Sequence, residues 1–276
     1  MSDQATDLRK LVMQVENDDH PSHLPRPRFV VLSGAKGGVG TTTLSVNLAV
    51  ALGELGSRVV LVDADMYRAD VAVLCGLSER HNVADVIAAR RDIHEVLQLG
   101  PAGIQVVPGL WAPGTFQDCL DKAQLRLIRQ FEALGRHADV IILDTGSGAN
   151  QVVQRFWSAA DQILLVSTPD TVSVMDAYAT IKTLQDKSIT SPISLLVNRC
   201  QSQQVALDVH LRVDRACQHF LGISTVCGGY VPEDDQVKYS TDHRSPFVSQ
   251  EGPAAVALQA IASRLVDEPS QIVRAA

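Results

Sequence analysis

Ser33-Gly34-Ala35-Lys36-Gly37-Gly38-Val39-Gly40-Thr41-Thr42-Thr43 stands between an apolar run, Phe29-Val30-Val31-Leu32, and a helix-like run from Leu44 to Leu55. A glycine-rich turn that joins a strand to a helix lets a backbone cradle phosphate. Its amides converge on the anion, and the helix N-terminus adds positive potential. Glycine permits the close approach because no side chain intervenes. The common phosphate-loop pattern is Gly-x-x-x-x-Gly-Lys-Ser/Thr. Here Ala35 stands for the first Gly, Thr41 stands for the Lys, and an extra Lys36 precedes the double glycine. Thr42 is the hydroxyl placed to bind Mg²⁺. Two other readings exist. One is a dinucleotide fold, since Asp63 ends the next strand where a ribose-binding acid would sit, but no G-x-G-x-x-G is present. The other is a plain strand–helix turn. The three threonines after the last glycine favour nucleoside triphosphate phosphates.

Two further stretches bear on that reading. Val59-Val60-Leu61-Val62-Asp63-Ala64-Asp65 ends an apolar strand in two carboxylates at i and i+2. Beside a phosphate loop they can hold a metal-bound water and orient an attacking one; alone they would be a solvated turn. Asp139-Val140-Ile141-Ile142-Leu143-Asp144-Thr145-Gly146-Ser147-Gly148 is a second buried strand ending in Asp. Such a carboxylate is the usual Mg²⁺-side acid of phosphate-loop proteins. Gly146 and Gly148 leave backbone amides free to touch a γ-phosphate.

Strand candidates recur along the chain at Phe29–Leu32, Val59–Val62, Ile104–Val107, Val140–Leu143, Ile163–Ser167, Ile193–Val197 and Thr225–Val231. Most are continuous rather than alternating, as strands buried on both faces are. Helical stretches separate them, and an amphipathic helix closes the series at Ala254–Leu265. The fold class is therefore α/β: a doubly wound, mainly parallel sheet with helices on both faces. Ligands in such sheets bind outside the carboxyl ends of the strands, where each motif above lies.

At 276 residues the chain can bury a sizeable core. Its formal net charge of −7 argues against nonspecific nucleic acid binding. Five widely spaced cysteines with no C-x-x-C pair suit reduced thiols and a cytoplasmic location. No secretory leader is evident, and no apolar run approaches the ~20 residues of a spanning helix. Asp3 to Val15 reads as an amphipathic helix, with Leu8, Leu11, Val12 and Val15 on one face. The stretch Asn17 to Pro27 is polar and holds three prolines, so it reads as a linker. The expected organisation is a partner-binding helix at 1–16, a linker at 17–28, a nucleotide domain at 29–266 and a tail at 267–276.

These residues resemble the deviant-Walker ATPases of the MinD/ParA group, a P-loop family, from about Phe29 to Leu265. Lys36-Gly37-Gly38-Val39-Gly40 matches that group's loop. The resemblance implies ATP and Mg²⁺ as cofactors and an ATP-dependent homodimer, with Lys36 reaching across to the partner's nucleotide. It makes Asp65 the catalytic, water-orienting acid and Asp63 its neighbour in the same switch. It places the nucleotide on Lys36, Gly37, Gly38, Val39, Gly40, Thr41, Thr42, Thr43, Asp63 and the switch glycine Gly148. The metal falls to Thr42 and Asp144, and the base to Asn198 and Pro232.

Within the group the chain is similar to the FlhG branch (also called FleN or YlxH), whose members regulate flagellar number. Asp3-Gln4-Ala5-Thr6-Asp7-Leu8-Arg9 matches its N-terminal D-Q-A-x-x-L-R motif. Gly100-Pro101-Ala102-Gly103 to Pro108-Gly109, Asp144-Thr145-Gly146-Ser147-Gly148 and Thr168-Pro169-Asp170 also resemble that branch. In it the N-terminal segment docks on the signal-recognition-type GTPase FlhF and stimulates GTP hydrolysis. The resemblance thus implies partner contacts at Asp3, Gln4, Ala5, Leu8 and Arg9, with Gln4 taking part in the stimulation, and flagellar ring components as further partners.

Two features depart from the family. Thr41 stands where the phosphate-loop lysine is usual, so any turnover is expected to be weak. The tail Val266–Arg274 is short, acidic and broken by Pro269, unlike the basic amphipathic helix of members that bind membrane. Rival readings are a partition or pilus-localisation ATPase and a nucleotide-insensitive scaffold of the same fold. An iron–sulfur carrier lacks its cysteines, and a tyrosine kinase of this fold lacks its tail tyrosines.

Overall fold

Phe29-Val30-Val31-Leu32 forms the middle of β1 (Arg28–Gly34), and successive side chains leave opposite faces of the sheet. Phe29 and Val31 enter one apolar cluster, whereas Val30 and Leu32 enter another. The computed structural model describes residues 26–65, 67–78, 81–109 and 121–267. The expected N-terminal helix with Asp3, Gln4, Ala5, Leu8 and Arg9 lies outside the described residues, as do Trp111, Cys119 and residues 268–276 of the tail.

The strands that follow are β2 (Val59–Asp63), β3 (Gln98–Leu99), β4 (Gln105–Val107), β5 (Val140–Ser147), β6 (Gln162–Ser167), β7 (Ile193–Cys200) and β8 (Val226–Pro232). They form one sheet in the order β3-β4-β2-β5-β1-β6-β7-β8. All pairings are parallel except that of β3 with β4. The two-residue β3 has no hydrophobic run to announce it, and the sequence reading does not include it. β1 lies between β5 and β6, and the chain leaves it towards β2 on one side. The loop after β1 therefore opens near the middle of the carboxyl edge, beside the point where the winding reverses.

Helix α1 (Thr41–Glu54) follows that loop and is buried almost throughout, from Leu44 to Leu52. It begins three residues before the predicted Leu44. Its N-cap is Gly40 with φ 94°, so no capping side chain announces the start. The short helices α2 (Val71–Leu74), α3 (Val83–Ile87) and α4 (Ile93–Val96) lead to α5 (Asp121–Ala133) and α6 (Gln151–Ala159). Next come α7 (Thr171–Asp186), α8 (Gln203–Leu221), α9 (Asp235–Asp242) and α10 (Pro253–Asp267). Leu258, Ile261, Ala262 and Leu265 of α10 join Leu44, Leu48 and Leu52 of α1 in the cluster that holds Val30 and Leu32. On the Phe29 side, Phe131 of α5 and Phe156 and Trp157 of α6 supply the bulk. Phe29 meets Phe131 edge-on at 6.5 Å between ring centres, and Phe131 meets Phe156 at 6.4 Å.

The folded body begins before Phe29. Arg26 lies over the Phe29 ring at 4.8 Å and donates to Ala159 O at 2.9 Å, and Arg28 already pairs with Val140. Among the described residues no helix is long and apolar enough to cross a membrane.

Phe131 is fully buried among aromatic neighbours on two elements. Phe131→Ala removes that volume where the sheet cannot collapse to fill it, and is expected to cost about 3–5 kcal/mol. Urea unfolding followed by circular dichroism measures this; a loss under 1 kcal/mol would place the core of this face elsewhere.

Candidate functional site

The loop from Gly34 to Gly40 is held from several sides. Ala35 N donates to Val166 O at 2.8 Å, which ties its start to β6. A Cβ on Gly34 would stand 2.5 Å from Thr41 Oγ1, so the Thr41 side chain is tucked back against the loop. Thr41 is accordingly buried. Val39 sends its side chain into the core and its carbonyl to Asn198, whose Nδ2 donates at 2.8 Å. Gly40 is doubly constrained: its φ is 94°, and a Cβ there would lie 2.5 Å from Asn198 Nδ2. Below the loop, Asn47 Nδ2 donates to Thr43 O at 2.8 Å while its Oδ1 accepts from Val248 N at 3.0 Å. The first turn of α1 keeps its unpaired amides facing the end of the helix.

Three carboxylates with different surroundings lie on the β2/β5 side. Asp63 ends β2 and its register partner Asp144 lies within β5; both are essentially inaccessible to water. Asp63 accepts from Asp65 N and Val71 N, each at 3.2 Å. Gly109 packs directly on its carboxylate. Burial, and next the charge of Asp144, raise its pKa well above the ordinary value. Asp144 is pushed up to about 6, chiefly by burial, although the hydroxyls of Thr42 and Ser45 hold it down. Its Oδ1 accepts a long bond from Gly146 N at 3.4 Å, and its Oδ2 receives no well-formed hydrogen bond among the described residues. Asp65 is half-buried. Its Oδ1 accepts from Tyr67 N at 2.8 Å and Arg68 N at 3.1 Å, and its Oδ2 lies against Gly146, where a Cβ would collide with it. Burial raises the Asp65 pKa; its two backbone donors oppose that.

Lys36 projects the other way. Its Nζ meets Asp170 Oδ1 at 2.7 Å. Asp170 also accepts from Thr168 Oγ1 and caps α7 through Ser173 N, and these donors, Lys36 first, hold its carboxyl below the usual carboxylate range.

A cleft of about 290 Å³ runs over the loop. Of the sequence candidates it brings together Lys36, Gly37, Gly38, Gly40, Thr41, Thr42, Thr43 and Asp65. Asp144 lies beneath its floor, next to Thr42. Val39 and Asn198 act from behind the loop. Asp63 holds the turn after β2, and Gly148, with φ 105°, stands past the end of β5. Pro232 lines a separate hollow of about 590 Å³ between β8, α8 and α10. The sequence reading missed Tyr67, Arg68, Asp70, Ser147 and Arg199, which also line the cleft, and the Asp170 partner of Lys36. The run Asp170-Thr-Val-Ser173 carries a helix-cap signal, but nothing in it pairs Asp170 with Lys36. Away from the cleft, His210 is half-buried, its Nε2 at 3.2 Å from Thr225 O.

The fold matches solved structures of known kind. MinD cell division protein from Aquifex aeolicus superposes with a TM-score of 0.72 at 26% identity, covering 90% of this chain and 100% of that one. Residues 27–194 match the AAA_31 family model, an AAA domain. Antiactivator FleN of Pseudomonas aeruginosa is 33% identical over 244 residues, 88% of this chain and 87% of the relative. The chain belongs to the MinD/ParA-type ATPases. Within that family it stands close to the FleN/YlxH (FlhG) branch. The flagellum site-determining protein YlxH of Helicobacter pylori is 28% identical over 182 residues, 66% of this chain and 62% of the relative.

The buried acids of this MinD/ParA-type site make stability fall with pH. Asp144 keeps its proton in the folded state up to about pH 6, whereas the unfolded chain releases it near the ordinary 3.8. The stabilising difference is complete below that lower value and is lost as pH rises through 6. The loss is about 3 kcal/mol from Asp144 alone, and Asp63 acts in the same direction. Without nucleotide or Mg²⁺, Asp144→Asn is therefore expected to be more stable than the parent at pH 7.5 and equal to it near pH 4. Urea titrations at the two pH values test this. A parent whose stability rises from pH 4 to 7.5 contradicts it.

Proposed function

We propose that the protein is an ATP-binding switch that regulates flagellar number or placement, with ATP-dependent dimerisation and slow hydrolysis. The observation that carries this reading is the convergence of Lys36, Thr42 and Asp65 on one cleft over the loop, with Asp144 buried beneath. The donor set fits a nucleotide phosphate chain with Mg²⁺. Among the described residues no group of three or more His, Cys, Asp or Glu side chains could hold a metal alone. Mg²⁺ characteristically takes one or two protein oxygens and completes its shell with phosphates and water. Thr42 and the unbonded Oδ2 of Asp144 are the protein oxygens available. When bound, Mg²⁺ would neutralise phosphate charge.

Asp65 performs the water-orienting role in this reading. The Tyr67 and Arg68 amides fix its Oδ1 and leave Oδ2 beside Gly146. A carboxylate with a raised pKa is also a better proton acceptor at neutral pH. Lys36 performs the trans role after exchanging Asp170 for the partner's phosphates. That exchange is easy, because both side chains of the pair are partly exposed and such pairs are worth about 0–1 kcal/mol. The segment with Asp3, Gln4, Ala5, Leu8 and Arg9 supplies the contact to an FlhF-type GTPase; the flagellar reading rests on the motif there and on the kinship with FleN and YlxH.

Asp65→Ala is expected to abolish ATP turnover while sparing ATP binding. Undiminished turnover removes Asp65 from its role. Lys36→Ala is expected to stay monomeric by light scattering with a slowly hydrolysed ATP analogue, whereas the parent dimerises. A parent that is monomeric at every nucleotide concentration supports the scaffold reading, which the buried, turned-back Thr41 favours. A synthetic peptide of residues 1–20 is expected to stimulate an FlhF-type GTPase, and its Gln4→Ala form is expected not to. Full stimulation by the protein lacking residues 1–20 would sink the assignment of that segment.

A further inference from the structure

We infer that Arg68 supplies, from the turn after β2, the phosphate-directed positive charge that Thr41 leaves missing from the loop. This rests on the nucleotide-switch reading and adds a residue to it that neither the motifs nor the family pattern marks.

The deficit is local. The lysine position of the loop is filled by a side chain that is buried and turned back on Gly34, so it offers the cleft no charge. The β2/β5 side of the site meanwhile carries Asp63, Asp65, Asp70 and Asp144. The Mg²⁺ that Thr42 and Asp144 would hold offsets part of that negative charge, and the loop lysine's share is left to a side-chain cation. Among the described residues the cleft is lined by three, Lys36, Arg68 and Arg199.

Position separates them. Lys36 is held by Asp170 at 2.7 Å, towards β6 and α7. Arg199 is the last residue but one of β7, on the far side of β1 and β6, with φ 53° and its amide on Asn198 Oδ1. Arg68 alone stands on the β2/β5 side, with Asp65, Gly146 and Ser147, where the terminal phosphate would lie. Its backbone is fixed there: Arg68 N donates to Asp65 Oδ1 at 3.1 Å, in the same turn that Tyr67 N closes at 2.8 Å. Its side chain is exposed, and no ion pair to another side chain is seen for it among the described residues. A guanidinium with fixed backbone and free head is suited to a phosphate oxygen pair. Arg68 also draws the Asp65 charge towards the ionised form. One residue thus serves both the phosphate and the neighbouring acid.

Isothermal titration of the full chain with Mg·ATP and Mg·ADP tests this. Arg68→Ala is expected to weaken ATP binding about ten- to a hundredfold, the range for one hydrogen-bonded charge. The ADP affinity should change by less than about threefold, since the contact is to the terminal phosphate. Arg68→Lys should recover part of the loss. In a Thr41→Lys background the effect of Arg68→Ala on ATP should shrink to about threefold or less, because the two charges substitute for each other. Equal losses for ATP and ADP, or an undiminished effect of Arg68→Ala beside Lys at position 41, overturn the inference. So does an Arg68→Ala protein that binds ATP like its parent. A parent that binds no ATP overturns the nucleotide-switch reading itself, a result distinct from the other three.

Discussion

Two carboxylates, Asp63 and Asp144, stand side by side on neighbouring strands with almost no water around them, and the surrounding architecture is built to tolerate that. Asp63 is supported by two backbone amides that define the turn leading to α2. Asp144 has hydroxyls beside it and one acceptor site left over. Burying such groups without full pairing is unfavourable unless they neutralise or find a cation. The folded body therefore holds a local electrostatic excess at the carboxyl edge of the sheet. That excess is relieved by a proton at low pH or by a cation at neutral pH. A site destabilised in this way gains more from binding a cation than a neutral one would.

The Thr41 substitution acts on the same balance. A lysine about 4 Å from a phosphate oxygen is worth about 4 kcal/mol at an effective dielectric of 20. The loop backbone contributes to anion binding regardless, since Gly38 and Gly40 keep their left-handed conformations and Asn198 braces the Val39 carbonyl. Shape is thus preserved where charge is lost. The exposed Lys36–Asp170 pair sets a far smaller energy scale. Breaking it does not govern whether Lys36 reaches a second subunit; the charge density of the nucleotide it would meet does.

Much of this was legible in the chain because burial and apolar runs coincide. Phe29–Leu32, Val140–Leu143 and Ile163–Ser167 read as buried parallel strands and are so. The loop was legible because glycines and threonines at that spacing serve few other ends. What escaped has physical reasons. The start of α1 carries no capping side chain, since Gly40 performs that turn by its φ alone. Asp63 and Asp65 look alike in sequence, yet one is sealed under Gly109 and the other faces the cleft; only the path of the turn separates them. Asn198 was assigned to the base by resemblance, while its hydrogen bonds in the structure go to Val39 and Arg199. Asp170 belongs to the site through tertiary approach, which no local pattern encodes, and Arg68 through the path of the turn after Asp65.

The two ends of the molecule divide its tasks. Arg26 meets Ala159 and Asp161, at the amino ends of β1 and β6. The cleft opens at the carboxyl ends. Seven residues of β1 separate the two, about 23 Å of strand. The described chain therefore begins, at Arg26, at the end of the sheet opposite the cleft. On the proposed reading, a partner of residues 1–25 would meet the loop only across the length of the sheet, a span that 25 residues of extended chain, about 80 Å, exceed. In the proposed dimer, pairing would double the number of N-terminal segments and raise their effective concentration without altering either one.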